Sequence, residues 1–289
     1  MRSKNRIASS LLLIGTFFWG MTFVFVKEGI EIIDVFTFLS IRFYIATLLL
    51  TVIFHKELAK IDRRLLLYGI LLGAVLTLSY VTQTIGLKYT SASKAAFITG
   101  LSVIFVPIFV TILHKKIPCI ELILASLICL LGIWIMSNSN DMKMRSTDVW
   151  VFACAVLFAI YIILVGRYTK IFPSAAFTII QLITVAITTG FMAGIESLFS
   201  IPPEYTVWQA ILICAVLATA FMYTIQNKFQ KFISEVKASI IFSFEPIFAA
   251  ITAYFYLGEE ITGHVIIGGM LIFGGMILSE VHLFSLSES

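Results

Sequence analysis

Two ionisable side chains lie deep within apolar segments of the chain. Arg42 and Glu245 each lie about nine residues from the end of such a segment, and a rise of about 1.5 Å per helical residue gives them similar depths from opposite sides. An unpaired arginine in a membrane helix costs at least roughly 2.5 to 3.5 kcal/mol. Arg42 is therefore expected to bind a substrate carboxylate or a protein carboxylate, or to snorkel to the outer interface. Glu245 is expected to be the partner of a buried cation, a proton relay or a substrate ligand.

Amide and aromatic side chains in the same kind of segment complete a candidate substrate site. Gln83 and Gln226 occupy equivalent ends of two helices, and amides of this kind either fix a zwitterion or bridge helices. Aromatic residues either line a pocket for an amino acid or a flat ring, or pack in the core and at the interface. With Arg42 and Glu245, the substrate-binding candidates are Trp19, Tyr80, Gln83, Gln181, Tyr223 and Asn227.

Three further residues are candidates for a gate or a hinge. Lys94 opens a helix, where its charge opposes the positive end of the helix dipole, so it either serves a gate or an anionic substrate group, or snorkels to the interface. Pro107 and Pro246 lie inside predicted helices and remove backbone donors there. They are expected to act as hinges or cavity walls, or simply as packing kinks.

The elements that hold these residues are predicted to be membrane helices. The 289 residues are 60% hydrophobic and 12% charged, and the mean hydropathy is +1.04. A membrane-spanning helix needs about 20 apolar residues. Apolar runs of this kind predict an all-α membrane protein with helices near 7–26, 34–54, 65–87, 92–113, 119–137, 148–166, 174–194, 208–227, 236–257 and 263–283.

The distribution of lysine and arginine predicts the orientation. With the N-terminus inside, the inner segments hold fourteen of the twenty basic residues and Arg42 lies within a helix. The outer segments hold five, which are Lys27, Lys88, Lys94, Lys143 and Arg145. Because basic residues concentrate on the cytoplasmic side, we expect a multi-pass inner-membrane protein with both termini in the cytoplasm.

An internal repeat organises the chain. A shift of 143 residues aligns Gln83 with Gln226, Ser91 with Ser234, Lys94 with Lys237 and Gly132 with Gly275, among others. Five helices in each half predict two inverted repeats, residues 1–140 and 141–289, joined by a polar linker from Ser137 to Asp148. Inverted repeats are typical of secondary transporters, whose sites lie at the repeat interface near the midplane.

These residues resemble the drug/metabolite transporter superfamily and, within it, the EamA-type ten-helix carriers. The resemblance rests on a series of segments in this order: Trp19-Gly20-Met21-Thr22-Phe23, Arg42-Phe43 with Ala46, Gly86 to Ala92, Phe244-Glu245-Pro246-Ile247-Phe248, Leu257-Gly258-Glu259-Glu260, and Gly268, Gly269, Gly274 and Gly275. It implies a central cavity within helices 1–4 and 6–9, peripheral helices 5 and 10 that often form a dimer contact, and export or exchange of amino acids or similar metabolites. One departure is Tyr161-Ile162-Ile163, which stands where the repeat of Trp19-Gly20 would fall.

The sequence thus predicts a secondary transporter that moves an amino acid or related metabolite by alternating access, with efflux as the expected direction. Uptake or exchange of another metabolite, a structural membrane component and a membrane-embedded enzyme are the alternatives. No Walker lysine motif, HExxH or paired cysteine spacing is present, so we expect no catalytic residue, cofactor, metal or nucleic-acid partner. The expected partners are a small-molecule substrate, the lipid bilayer and a second copy through helices 5 and 10.

Overall fold

A computed structural model describes residues 2–115, 117–136, 145–194, 197, 204–258 and 260–285. Within these ranges the ordered elements are all helical. The helices are α1 (Arg2–Ile32), α2 (Val35–Ile53), α3 (Arg63–Tyr89), α4a (Ala92–Gly100), α4b (Ser102–His114), α5 (Ile120–Met136), α6 (Val149–Tyr168), α7 (Ser174–Ala193), α8 (Tyr205–Phe229), α9a (Glu235–Phe242), α9b (Glu245–Leu257) and α10 (Gly263–Ser285).

Eight of the predicted segments are long and apolar enough to cross a membrane. They correspond to α1, α2, α3, the α4 pair, α6, α7, α8 and the α9 pair. The remaining two contribute shorter apolar stretches among the described residues, Ile120–Met136 in α5 and Gly263–Ser279 in α10. The chain is therefore a multi-pass helical membrane protein, and the count of ten spans stays a prediction.

Polar side chains mark the starts of several helices. Asp34 and Asp62 accept hydrogen bonds from the first backbone N–H groups of α2 and α3. Ser91 and Ser234 cap α4a and α9a in the same way, through the N–H groups of Lys94 and Lys237. Such caps satisfy donors that have no partner inside the helix. The α1 helix is longer than predicted, because polar residues on either side of 7–26 continue the helix.

Two helices are interrupted at their middle, and only one of the two prolines lies next to an interruption. The α4 pair breaks at Gly100–Leu101 and the α9 pair at Ser243–Phe244. Pro246 occupies the first turn of α9b, where a missing N–H removes no intrahelical bond. Pro107 does lie inside α4b, but the break precedes it by six residues. Pro246 also lacks the N–H that would bond to the Phe242 carbonyl and continue α9a, whereas Pro107 is remote from the interruption of the α4 pair.

A π-helical segment, which the sequence did not predict, lies in the middle of α8. It runs over Cys214–Phe221. The Thr219 hydroxyl donates a hydrogen bond of 2.8 Å to the Cys214 carbonyl five residues earlier. Wide turns of this kind leave backbone groups free for other partners and occur frequently at functional sites.

The helices pack as one bundle around α1. That helix contacts α9b, α8 and α9a, while α2 and α3 both pack on α7 and α3 also packs on α6. The α5 and α10 helices lie chiefly against each other. Segment 137–144, which includes the predicted boundary between the halves, lies outside the described residues, as do Lys116, Lys143 and Glu259.

Glycines allow the close approach of α5 and α10. A Cβ atom built on Gly132 would lie 2.6 Å from the Gly268 carbonyl oxygen, and one on Gly275 would lie 2.6 Å from Cys129 Sγ. A Cβ on Gly268 would meet the Gly132 carbonyl oxygen and Met136. Small residues of this kind let membrane helices approach closely. In this structure the contacts join two helices of one chain.

We expect Gly268→Ala to destabilise the protein and Gly274→Ala, its matched control, to leave it unchanged or slightly more stable. The added methyl group at Gly268 has backbone and side-chain atoms in its way, which costs about 1 to 3 kcal/mol. A Cβ at Gly274 has no atom within 4 Å, and alanine favours the helix. Thermal unfolding in detergent measures the difference. Equal melting temperatures would contradict the α5–α10 packing.

Candidate functional site

Arg42 lies in the interior of the bundle, with 1% of its surface exposed. Its Nε donates a hydrogen bond of 2.8 Å to Thr219 Oγ1 in the π-helical segment, and one Nη donates a bond of 3.4 Å to the Tyr80 hydroxyl. The guanidinium also lies 4.9 Å from the centroid of the Tyr80 ring and 5.5 Å from that of Phe43. These contacts fix the position of Arg42 on neutral partners, so the predicted snorkelling does not occur.

No protein carboxylate pairs with Arg42 in the part of the chain that the structure describes. The ion pairs found there join Lys27 to Glu31, Lys60 to Glu57 and Lys94 to Asp148. The predicted pairing of Arg42 with Glu245 is therefore absent in this structure. A buried charge without an opposite charge is costly. Two hydroxyl groups satisfy only part of the hydrogen-bonding capacity of the guanidinium, which carries five N–H donors.

A chain of hydrogen bonds connects four of the predicted residues to the same place. Gln181 accepts a bond of 2.6 Å from the Tyr161 hydroxyl and donates one of 3.2 Å to Asn227 Oδ1. Asn227 in turn donates to the Tyr223 carbonyl, and the Tyr223 hydroxyl donates to that of Tyr80 at 3.0 Å. The chain links α6, α7, α8 and α3, and ends on the tyrosine that contacts Arg42.

Trp19 forms an aromatic wall beside this network. Its ring centroid lies 5.5 Å from that of Tyr223, 5.3 Å from that of Phe242 and 6.1 Å from that of Phe158. The indole Nε1 donates a hydrogen bond of 2.9 Å to the Ala218 carbonyl of the π-helical segment. The wall is therefore fixed in orientation, and it offers apolar faces and ring electrons to a ligand.

Glu245 begins α9b at the interruption of the α9 pair and is 9% exposed. Among the described residues its carboxylate has no hydrogen-bond partner and no ion-pair partner. The positive end of the α9b dipole favours a negative charge at this position. The α1 helix packs directly on this turn. A Cβ atom on Gly20 of α1 would lie only 2.7 Å from the Glu245 carbonyl oxygen, so the close approach requires glycine there. Gly20 follows Trp19, so Glu245 lies beside the part of α1 that carries the tryptophan.

Gln83, Gln226 and Lys94 lie in other surroundings. Gln83 donates a weak bond of 3.4 Å to Thr99 of α4a, and Gln226 donates one of 2.9 Å to Gln230. Gln83 thus bridges two helices, as the alternative interpretation expected, whereas Gln226 contacts a residue that directly follows its own helix. Lys94 is 5% exposed and forms an ion pair of 2.6 Å with Asp148, so it does not snorkel to the interface.

Sequence reasoning missed several residues of this site. They are Phe43, Phe158, Tyr161, Thr219 and Phe242. Tyr161 carried a signal, since it interrupts the repeat of Trp19-Gly20, but Thr219 and the phenylalanines resemble any other membrane-helix residues. Within the described ranges, no group of three His, Cys, Asp or Glu side chains could hold a metal ion.

We expect Thr219→Val to destabilise the protein and weaken substrate binding. Valine has the shape of threonine but leaves Arg42 Nε without its acceptor, which costs about 1 to 3 kcal/mol. Thr189→Val is the matched control, because that buried hydroxyl donates only to carbonyls of its own helix. Unfolding in detergent and substrate affinity are the measurements. Equal effects of both variants would show that Thr219 has no particular role in holding Arg42.

The apolar helices define a polytopic membrane protein, and a cluster of buried polar side chains lies in its interior. The EamA-like transporter family model matches residues 6–138 and 145–280. The chain therefore belongs to the EamA-like transporter family.

Relatives of similar length bear the name of transporters. An "Uncharacterized transporter" of Archaeoglobus fulgidus is 27% identical over 281 residues, which cover 97% of this chain and 88% of the relative. The "Uncharacterized transporter YoaV" of Bacillus subtilis is 24% identical, with 91% of this chain and 93% of the relative covered. A solved crystal structure superposes with a TM-score of 0.80 at 14% identity, over 98% of this chain and 99% of that one. These likenesses support a transporter with this helical fold.

Proposed function

We propose that this protein is a secondary transporter of a zwitterionic amino acid, or of a closely related metabolite, across the inner membrane. In this proposal Arg42 binds the substrate carboxylate and Glu245 binds the ammonium group. The observation that carries the proposal is the presence of a buried cation, Arg42, and a buried carboxylate, Glu245, neither of which is paired with a charged side chain among the described residues.

A zwitterion compensates both charges at once. Arginine presents a planar pair of N–H donors that matches a carboxylate, and hydrogen bonds to charged groups are stronger than neutral ones. The aromatic wall of Trp19, Phe158 and Phe242 is suited to an apolar side chain, and its ring faces also attract an ammonium group. A simple carboxylic acid would leave Glu245 without a partner, and a simple amine would leave Arg42 without one.

The site is closed in this structure, which supports a transport cycle with conformational change. Exposure is 9% or less for Trp19, Arg42, Tyr80, Tyr223 and Glu245. A substrate can reach these side chains only when helices move apart. Opening to each side in turn is the alternating-access scheme of transporters with a midplane site.

Equivalent structural features lie 143 residues apart, and they support an inverted repeat whose two halves move relative to each other. The second halves of the broken helices start at Ser102 and Glu245, and serine caps start the first halves at Ser91 and Ser234. The Tyr80 and Tyr223 hydroxyls, also one repeat apart, are hydrogen-bonded to each other. In our proposal the two five-helix halves meet at these tyrosines, both termini are cytoplasmic and export is the physiological direction.

Counterflow into proteoliposomes tests the function with three related compounds for each amino acid. The first is the amino acid itself, the second its amide without the carboxylate, and the third its 2-hydroxy acid without the ammonium group. We expect saturable exchange of the amino acid and at least about tenfold weaker exchange of both analogues, since each leaves one buried charge unpaired. No saturable flux with any amino acid would contradict the proposal.

A further inference from the structure

A second polar site lies at one end of the bundle, away from Arg42 and Glu245. Four basic side chains, Lys27, Lys88, Lys94 and Arg145, line a pocket of about 370 Å³ together with Tyr89, Thr90 and Ser91. We call it the cationic pocket. None of its residues belongs to the central substrate site, so it can be tested independently of the proposed function.

The charges around the cationic pocket do not balance. Asp148 pairs with Lys94 at 2.6 Å, and Glu31, whose side chain is 65% exposed, lies 4.0 Å from Lys27. Among the described residues, four positive charges therefore face these two negative ones and the Asp34 carboxylate of the neighbouring pocket, which leaves a net charge of +1. Asp34, which lines the neighbouring pocket beside Lys27, is engaged as the N-cap of α2.

The four cations of the pocket lie in segments that are predicted to be on the outer side of the membrane, where basic residues are uncommon. The sequence predicts five basic residues in outer segments, and four of them line this one pocket; the fifth, Lys143, lies outside the described residues. Basic residues are disfavoured in loops on the outer side of the membrane, because they hinder translocation of those loops during insertion. Their convergence on one pocket indicates a benefit that offsets this cost.

Local geometry directs further positive potential into the cationic pocket. Thr90 and Ser91 precede the nine-residue helix α4a, whose first N–H groups form the positive end of the helix dipole. Lys27 donates hydrogen bonds to the Leu87 and Lys88 carbonyls at the end of α3, which hold its ammonium at the pocket. Asp148 Oδ2 accepts from the Arg145 N–H, whereas its buried Oδ1 has no hydrogen-bond partner among the described residues.

We propose that the cationic pocket binds an anionic group, a carboxylate or a phosphate, carried by a soluble metabolite or by a lipid headgroup. The anion shares the Lys94 ammonium with Asp148. Binding therefore weakens the ion pair that joins α4a to the turn preceding α6 and loosens the bundle at this end.

Two variants with opposite expected effects test the proposal. In the first, Lys27, Lys88 and Arg145 are all replaced by glutamine. Loss of three partly exposed charges should weaken anion binding about tenfold. The second, Asp148→Asn, removes the competitor for Lys94 and should tighten binding several-fold. The control is a triple glutamine variant of Lys56, Arg63 and Lys228, which removes the same charge from exposed positions elsewhere.

The probes separate the two sources of the anion. Calorimetry in neutral detergent measures the binding of inorganic phosphate and of succinate, and native mass spectrometry counts bound phosphatidylglycerol against phosphatidylcholine. Binding of either soluble anion, weakened in the pocket variant and strengthened by Asp148→Asn, supports a soluble ligand. The same pattern with phosphatidylglycerol alone supports a lipid headgroup. If pocket and control variants bind every probe alike, the proposal is overturned.

Discussion

Replacing Arg42 with methionine is expected to weaken amino-acid transport about a hundredfold and at the same time to raise the thermal stability of the substrate-free protein. The side chain is 1% exposed, and no protein carboxylate compensates it among the described residues. Replacing a buried ion pair by apolar groups of similar volume is often neutral or stabilising by about 1 to 4 kcal/mol, and an unpaired buried charge has no ion-pair attraction to lose. The loss of a charged hydrogen-bonding partner for the substrate corresponds to about a hundredfold weaker binding.

The combination of the two effects distinguishes a binding residue from a structural one. A structural arginine would destabilise the protein on removal, and transport would fall with the amount of folded protein. Melting temperature in detergent and counterflow normalised to folded protein therefore give the decisive comparison. Arg64→Met, at an exposed position in the first turn of α3, is the control and should affect neither. A lower melting temperature with normal flux per folded molecule would refute the assignment.

Arg42→Lys sharpens the same test. Lysine keeps the positive charge but lacks the planar fork that pairs with both oxygens of a carboxylate. We expect flux with this variant to stay well below that of the unaltered protein. Full activity would show that a point charge is sufficient and that two-point recognition of the carboxylate does not occur.

The helical fold could be predicted because membrane helices have a strong sequence signal. Continuous apolar runs and polar breaks placed the eight long spans with errors of a few residues. Helix interruptions have no comparable signal. Pro246 pointed to the correct region of the α9 pair, but the first-turn position that it occupies became visible only in the structure. The π-helical segment of α8 has an ordinary apolar sequence, since its geometry depends on the partners of its backbone groups.

The residues of the candidate site could be predicted where a polar side chain lies in an apolar segment, because burial of such a group costs free energy. Arg42, Gln181, Asn227 and the two tyrosines were conspicuous as polar groups in apolar segments, and the structure brings them together. Pairing could not be predicted, because equal depth along two helices says nothing about which faces meet. The structure shows that Arg42 bonds to Thr219 and Tyr80 and not to Glu245, which depth alone did not indicate.

The partner of Lys94 could not be predicted from the sequence either. Its position at a helix start was correctly recognised as unfavourable for a cation. Its partner, Asp148, is remote in sequence and has no counterpart at the equivalent position of the first half, where Asn5 stands. A repeat predicts shared geometry, but it cannot predict a partner whose residue type differs between the two halves.

Glu245→Gln is expected to reduce transport of amino acids by about thirtyfold and to leave transport of the matching 2-hydroxy acids nearly unchanged. Glutamine keeps the size of the side chain and one acceptor oxygen but removes the charge that pairs with an ammonium group, an interaction of about 2 kcal/mol. The ratio of the two transport rates is the measurement, since it is insensitive to the amount of folded protein. Glu57→Gln, which removes a surface ion pair with Lys60, is the control and should leave the ratio unchanged.

The alternative role of Glu245 as a proton relay makes a different prediction for the same variant. A relay acts on every substrate, so amino acids and 2-hydroxy acids would lose transport equally, and the dependence of flux on external pH would disappear. A double variant with Arg42→Met separates the two roles further. If each residue binds its own end of the zwitterion, their effects on transport of the amino acid are coupled, because both act through one bound molecule. Equal losses for both substrate classes, with independent effects of the two substitutions, would exclude the zwitterion site and leave Glu245 as a relay.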